Sequence, residues 1–127
     1  MDSNISDTSE DQAIAGGGEA ILVLITAASQ EEADKIARTL LAERLAACVN
    51  ILPEVRSLFS WENKLSEEKE ALLVVKSRRP LFRQMVLRVK ALHSYTVPEI
   101  IAIPIVEGSA SYLKWIHEVT GSSSPRS

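Results

Sequence analysis

The stretch Glu70-Ala71-Leu72-Leu73-Val74-Val75-Lys76 decides how this chain folds. Five apolar residues stand between two charged ones, with no Gly or Pro among them, which is the signature of a short buried strand. Side chains on a strand alternate between faces, so this one is apolar on both. The residues before it supply a partner. Val55, Ser57, Phe59 and Trp61 alternate with Arg56, Leu58 and Ser60, and Glu62-Asn63-Lys64 is a tight turn, so residues 48–76 read as one long β-hairpin. Within Cys48-Val49-Asn50-Ile51-Leu52-Pro53, the proline cannot donate to a ladder, and a bulge or bend is expected there.

Moving outward, Ala20-Ile21-Leu22-Val23-Leu24-Ile25-Thr26 is a second apolar strand. Ser29 stands three residues before Glu32, a capping-box spacing. The helix that follows puts Ala33, Ile36, Ala37, Leu40 and Leu41 on one face and is expected to end near Leu45 or Ala46. On the other side of the hairpin, Pro80 suits the first position of a helix whose apolar face is Phe82, Met85, Val86, Val89 and Leu92. His93-Ser94-Tyr95-Thr96-Val97-Pro98-Glu99-Ile100 then hands the chain to a last strand, Ile100–Val106, in which Pro104 favours an edge. Gly108-Ser109 caps a short third helix with Tyr112, Leu113, Ile116 and Val119 inward, and Gly121 stops it. Strand, helix, strand, strand, helix, strand is the split βαβ order of a ferredoxin-like α+β fold (βαββαβ), here with a short C-terminal helix. Helices cover one face of such a sheet. The two-sided apolar strands therefore call for a further layer, and a partner subunit is the simplest one.

Composition limits what else the chain can be. Its 127 residues are 46% apolar, 24% charged and 5% aromatic, the profile of one globular domain with an aliphatic core. The net charge of −3 is misleading. Residues 1–19 hold five acids and no base, while residues 20–119 carry twelve acids against thirteen Lys and Arg. A nearly neutral body points to neither nucleic acid nor a membrane surface as a partner. Residues 1–19 read as a disordered acidic tail with a flexible joint at Gly16-Gly17-Gly18, residues 20–119 as the domain, and residues 120–127 as a second disordered end. The single Cys48 excludes a disulfide framework and suits a cytoplasmic setting. No run reaches membrane-span length, and the acidic start does not read as a secretory signal.

No phosphate loop, dinucleotide fingerprint, nucleophile elbow or zinc-protease helix is present, so an enzyme is not expected. Mixed chemistry gathers only between His93 and Glu99, where the plain alternative is a helix cap and a surface pair. His93 offers an imidazole suited to copper, zinc or nickel but needs further donors. Cys48 reads as a small buried hydrophobe, His117 as a solvent-facing residue near a helix end, and Trp61 and Trp115 as packing or interface anchors. Glu99 is equally suited to pairing with Lys76 or an arginine. Arg78, Arg79 and Arg83 surround the start of the second helix, as an anion site or a solvated charge run.

Several long motifs, in order, make the body similar to the CutA family of divalent-cation tolerance proteins. They are Leu45–Pro53, Ser57-Leu58-Phe59-Ser60-Trp61-Glu62, Glu70–Lys76, His93–Ile100 and Tyr112-Leu113-Lys114-Trp115-Ile116. The resemblance spans residues 20–119 and leaves both ends outside. It implies a ferredoxin-like protomer in a compact homotrimer resembling PII signalling proteins, a link to copper and other divalent cations, and no established catalysis. Copper-binding members have a Cys at the position of Ile25 and a second His at the position of Leu92; both are apolar here, and His93 alone remains of that set.

Three functions follow as expectations. The first is a trimeric, cytoplasmic metal-tolerance protein that contacts Cu²⁺ or another divalent cation through His93 and needs no metal to fold. The second is a PII-like module holding a small anionic ligand in a cleft between subunits through Lys76, Arg78, Tyr95 and Glu99, with Trp61 as a further ligand contact. The third is a trimeric scaffold for a partner protein.

Overall fold

The computed structural model describes residues 13–121. The expected core order is present as β2 (Ala20–Ala27), α1 (Gln30–Ala42), β3 (Cys48–Trp61), β4 (Lys64–Arg78), α2 (Phe82–Leu92) and β5 (Ile100–Pro104), closed by α3 (Ala110–Thr120). Two short strands, β1 (Ile14–Gly16) and β6 (Glu107–Ser109), pair with each other. The main sheet runs β3-β4-β2-β5 with every neighbour antiparallel, the strand order of a ferredoxin-like fold.

Local chemistry accounts for most boundaries. Ser29 caps α1 by accepting the Glu32 N–H at 3.1 Å. The helix stops three residues earlier than its apolar pattern suggests. Arg44 takes the left-handed conformation (φ 59°), its N–H bonds Leu41 O, and the Leu45 N–H bonds Leu40 O. This is a Schellman turn with arginine in glycine's usual place, anchored by buried Leu40 and Leu45. The hairpin between β3 and β4 turns at Glu62 and Asn63, both with positive φ, as a type I′ turn demands. The register shift between Leu52 and Val55 is the bulge expected at Pro53. Pro80 falls in a 3₁₀ turn, Arg79–Leu81, that leads into α2 rather than in the helix itself.

The core lies between α1, α2 and one face of the sheet. Val23, Ile25, Leu73 and Val75 are fully buried against Ile36, Leu40, Met85 and Val89. Register places Leu22, Leu24, Leu72, Val74, Leu52, Ile101 and Ile103 on the opposite face. There Leu52, Ile101 and Ile103 are 42–48% exposed, and the other four are half-buried. The α3 helix reaches this face only at one end. Arg78 Nε and Nη2 donate to Thr120 Oγ1 and Thr120 O at 2.8 Å, and Ile116 is buried.

Two expected boundaries move. Gly16-Gly17-Gly18 is no loose joint: Ile14–Gly16 pairs with Glu107–Ser109, and only residues 1–12 of the expected N-terminal tail lie outside the described part. At the other end Thr120 is buried and bonded, so the body runs through it; residues 122–127 lie outside the described residues.

Candidate functional site

The His93 junction is a buried polar brace. Val89 O accepts the His93 N–H as α2 ends, and the backbone then turns extended, throwing the imidazole inward. The side chain is 0% exposed; only its backbone keeps the residue partly accessible. Nε2 lies 2.6 Å from Thr26 O at the end of β2. A carbonyl oxygen can only accept, so Nε2 carries the proton. Nδ1 accepts the Tyr95 N–H at 3.0 Å, which uses the remaining lone pair. The Tyr95 ring packs 4.7 Å from the imidazole, centroid to centroid.

One carboxylate sits against this imidazole, and a second holds the Tyr95 hydroxyl. Glu32, in the first turn of α1, takes the Ser94 N–H at 2.9 Å and the Ser94 hydroxyl at 2.8 Å, and sits 3.1 Å from His93 Nδ1. The capping box is thus half formed, because its Glu side chain reaches across to the α2 exit. Burial pulls the Glu32 carboxyl up, but the backbone and side-chain bonds from Ser94, with smaller help from His93 and the Ala28 backbone, outweigh it and hold it below its ordinary value. Glu70 on β4 is buried and accepts the Tyr95 hydroxyl at 2.8 Å. Burial first, then the Glu70 bond and the charges of Glu70, Glu68 and Glu32, push the Tyr95 phenol up to about 12. An open cleft of ≈ 210 Å³ beside Glu70 is bordered by Ser29, Gln30, Glu54 and Lys69.

The raised phenol pKa gives a signed expectation. Folding favours the neutral Tyr95, so its contribution is complete below pH 10 and is lost as pH rises from 10 through about 12. Denaturant midpoints should therefore fall over that window. In Tyr95→Phe the alkaline fall should be smaller, and at neutral pH the variant should be about 1.5–3 kcal/mol less stable for want of a donor to the buried Glu70. Matching profiles for both proteins would remove the Tyr95–Glu70 bond from the account.

The other expected ligand residues do not converge within one chain. Lys76 sits six residues beyond Glu70 on β4, about 20 Å along the strand, and Trp61 lies a similar distance the other way, at the hairpin end. Trp61 is 55% exposed. Glu99 is exposed and makes no ion pair among the described residues. Arg78 clasps Thr120 and Glu19 rather than framing an anion site at α2.

Lys76 has its own surroundings. Its ammonium bonds Asn50 Oδ1 and lies 3.9 Å from Cys48 Sγ, and no carboxylate joins it among the described residues. Cys48 is half-buried on the open sheet face, not in the core as its sequence suggested. Burial and then Cys48 push the Tyr112 phenol upward, and its ring packs tilted against Trp115 with centroids 5.5 Å apart. His117 is exposed in the last turn of α3, as expected.

Among the described residues, no three His, Cys, Asp or Glu side chains are gathered to hold a metal ion. Ile25 is buried in the core and Leu92 packs against it, so neither position offers a donor. His93 and Glu32 are the nearest approach to a donor pair. Sequence reading missed Glu32 and Glu70. The capping spacing gave Glu32 a sufficient role, and the only mark on Glu70 was an acid set directly against a five-residue apolar run.

Comparison with known proteins agrees with this architecture. The family model described as CutA1 divalent ion tolerance protein matches residues 21–119. The divalent-cation tolerance protein CutA of Thermus thermophilus is 52% identical over 100 residues, which cover 79% of this chain and 97% of that protein. The chloroplastic CutA of Arabidopsis thaliana is 42% identical over 100 residues, and there the match spans only 55% of the relative's length. The solved structure of the periplasmic divalent cation tolerance protein CutA of Archaeoglobus fulgidus superposes with a TM-score of 0.78 at 45% identity, covering 80% of this chain and 99% of that one. No helix among the described residues is long and apolar enough to cross a membrane. With the fold, the motifs and nearly the whole described body in agreement, the chain belongs to the CutA1 divalent ion tolerance family.

Proposed function

We propose that this chain works as a cytoplasmic homotrimer that binds copper or another divalent cation and catalyses no reaction. The observation that carries the assembly is the open sheet face, with Leu52, Ile101 and Ile103 exposed beside half-buried Leu24 and Val74. Apolar area of that kind is stable in water once a second surface covers it. The hairpin arm adds Leu58, Trp61 and Leu65, each more than half exposed. The metal contact is His93 Nδ1, with Glu32 as second donor 3.1 Å away. Loading moves the Tyr95 N–H off Nδ1, and the remaining donors come from water or a neighbouring subunit, because the described residues of one chain bring together only this pair.

Calorimetric titration of Cu²⁺ into wild type and Glu32→Gln tests this. The variant keeps the Ser29 cap and most of the Ser94 contact but loses a charged donor, so its affinity should drop by about tenfold or more. Equal binding by both proteins would remove the His93–Glu32 pair from metal contact.

Lys76 favours a second reading, a PII-like small-anion site. A half-buried ammonium with no carboxylate partner among the described residues has room for an anionic ligand. The same protein stocks melted with inorganic phosphate and small organic acids should show stabilisation that Lys76→Met abolishes. No shift at millimolar ligand, on the scale of about 1–10 mM, would leave the metal reading alone.

A further inference from the structure

The family match starts at Ile21, yet the residues before it are fitted closely into the fold. Ile14, Ala15 and Gly16 pair antiparallel with Ser109, Gly108 and Glu107. The Gly17 N–H bonds Val106 O at 2.8 Å, and the Ala110 N–H at the start of α3 bonds Ala13 O at 2.9 Å. At the other end Glu19 O accepts the Arg79 N–H at 2.8 Å. A Cβ on Gly17 would stand 1.5 Å from Ile105 O, closer than any side chain can come. Gly18 next to it has φ +56°, the left-handed region that glycine enters at least cost. The glycines are therefore the shape of the contact, since backbone lies directly on backbone.

Without this strap, β6 has no strand partner among the described residues, and the first N–H of α3 loses its acceptor. We propose that residues 13–19 are a strand ligand carried by the chain itself, seated in an edge at Ile105–Ala110 that takes the same segment from a second copy once emptied. Strand addition uses main-chain groups and works identically within a chain or between chains. The edge admits only an occupant lacking a side chain at the position of Gly17 and able to turn left-handed at the next. The segment of this chain that meets both demands is its own Ala15-Gly16-Gly17-Gly18. Little apolar burial holds it, since Ile14 is 72% exposed. Its occupancy rests on the short tether, which supplies a local concentration on the order of millimolar.

The test uses the full chain carrying Gly17→Val, whose side chain collides with Ile105 O. Amide hydrogen exchange at Ala110 should quicken by roughly tenfold or more, while the Leu73 and Val75 amides in the core stay protected. Gly18→Val meets no atom within 4 Å and is strained only at its φ, so it should give a smaller increase. Adding a wild-type peptide of residues 11–20 at millimolar concentration to the Gly17→Val protein should restore slow exchange at Ala110; the peptide bearing Gly17→Val should not. Wild-type protection of Ala110 in the Gly17→Val chain would overturn the strap. Fast exchange at Ala110 despite the wild-type peptide would overturn acceptance from a second copy. Loss of protection at Leu73 in both variants would show the segment to be an inseparable part of the core, which also overturns it.

Discussion

His93→Ala is expected to lower the unfolding free energy by about 2–4 kcal/mol, read as a lower urea midpoint at unchanged slope. The imidazole is wholly buried and ties together β2, the α2 exit and Tyr95. Alanine leaves Thr26 O and the Tyr95 N–H without partners. Thr26 is buried, so water replaces the lost bond poorly. An unsatisfied buried polar group costs about 1–3 kcal/mol, and the vacated ring volume adds a cavity term. A change under about 0.5 kcal/mol, the size typical of exposed sites, would show that the ring braces nothing. Weaker metal binding by His93→Ala therefore has two causes, lost ligation and lost structure. Glu32→Gln separates them better, because Glu32 is reached from the surface and its partner Ser94 is exposed.

Val74→Glu should convert the proposed trimer to single chains while leaving the protomer folded. Val74 sits mid-sheet on the open face, paired with Leu24 on one side and Asn50 on the other. In the free chain this position is half-buried, so a glutamate there still reaches water. In an assembly that covers the face, the carboxylate is trapped without a partner, at an effective cost of several kcal/mol in each subunit. Light scattering behind size exclusion reads the mass directly. Arg83→Glu, on the exposed face of α2, is the control and should leave the mass unchanged. An assembly that survives Val74→Glu would place the subunit contact elsewhere and leave the open face without its proposed cover.

The sequence showed the core strands and the three helices because each is a local property; β1 and β6 were not legible, since each is three residues long and forms by pairing with the other. Alternating and continuous apolar runs set the strands, Ser29 and Ser109 set two helix starts, and Pro53 set the bulge. Helix ends were less legible. The Schellman turn after α1 uses Arg44, and nothing in an arginine announces a positive φ. The His93–Tyr95 segment was legible as a place where polar groups meet, but its partners were not. Glu32 and Glu70 lie 62 and 25 residues away from Ser94 and Tyr95 in the chain.

By itself, then, the sequence determined the split βαβ order, the two-sided apolar strands and the family likeness, since periodicity and motif order are written along the chain. Tertiary structure alone decided that His93 spends both ring nitrogens on the fold, that Lys76 and Trp61 stand far apart on one ribbon with Tyr95 bonded to Glu70 between them, and that Gly16-Gly17-Gly18 is a fitted contact. The reason is common to all three. Which atoms a side chain or a bare glycine backbone meets depends on how the layers pack, and residues brought together by packing leave no spacing in the sequence to be read.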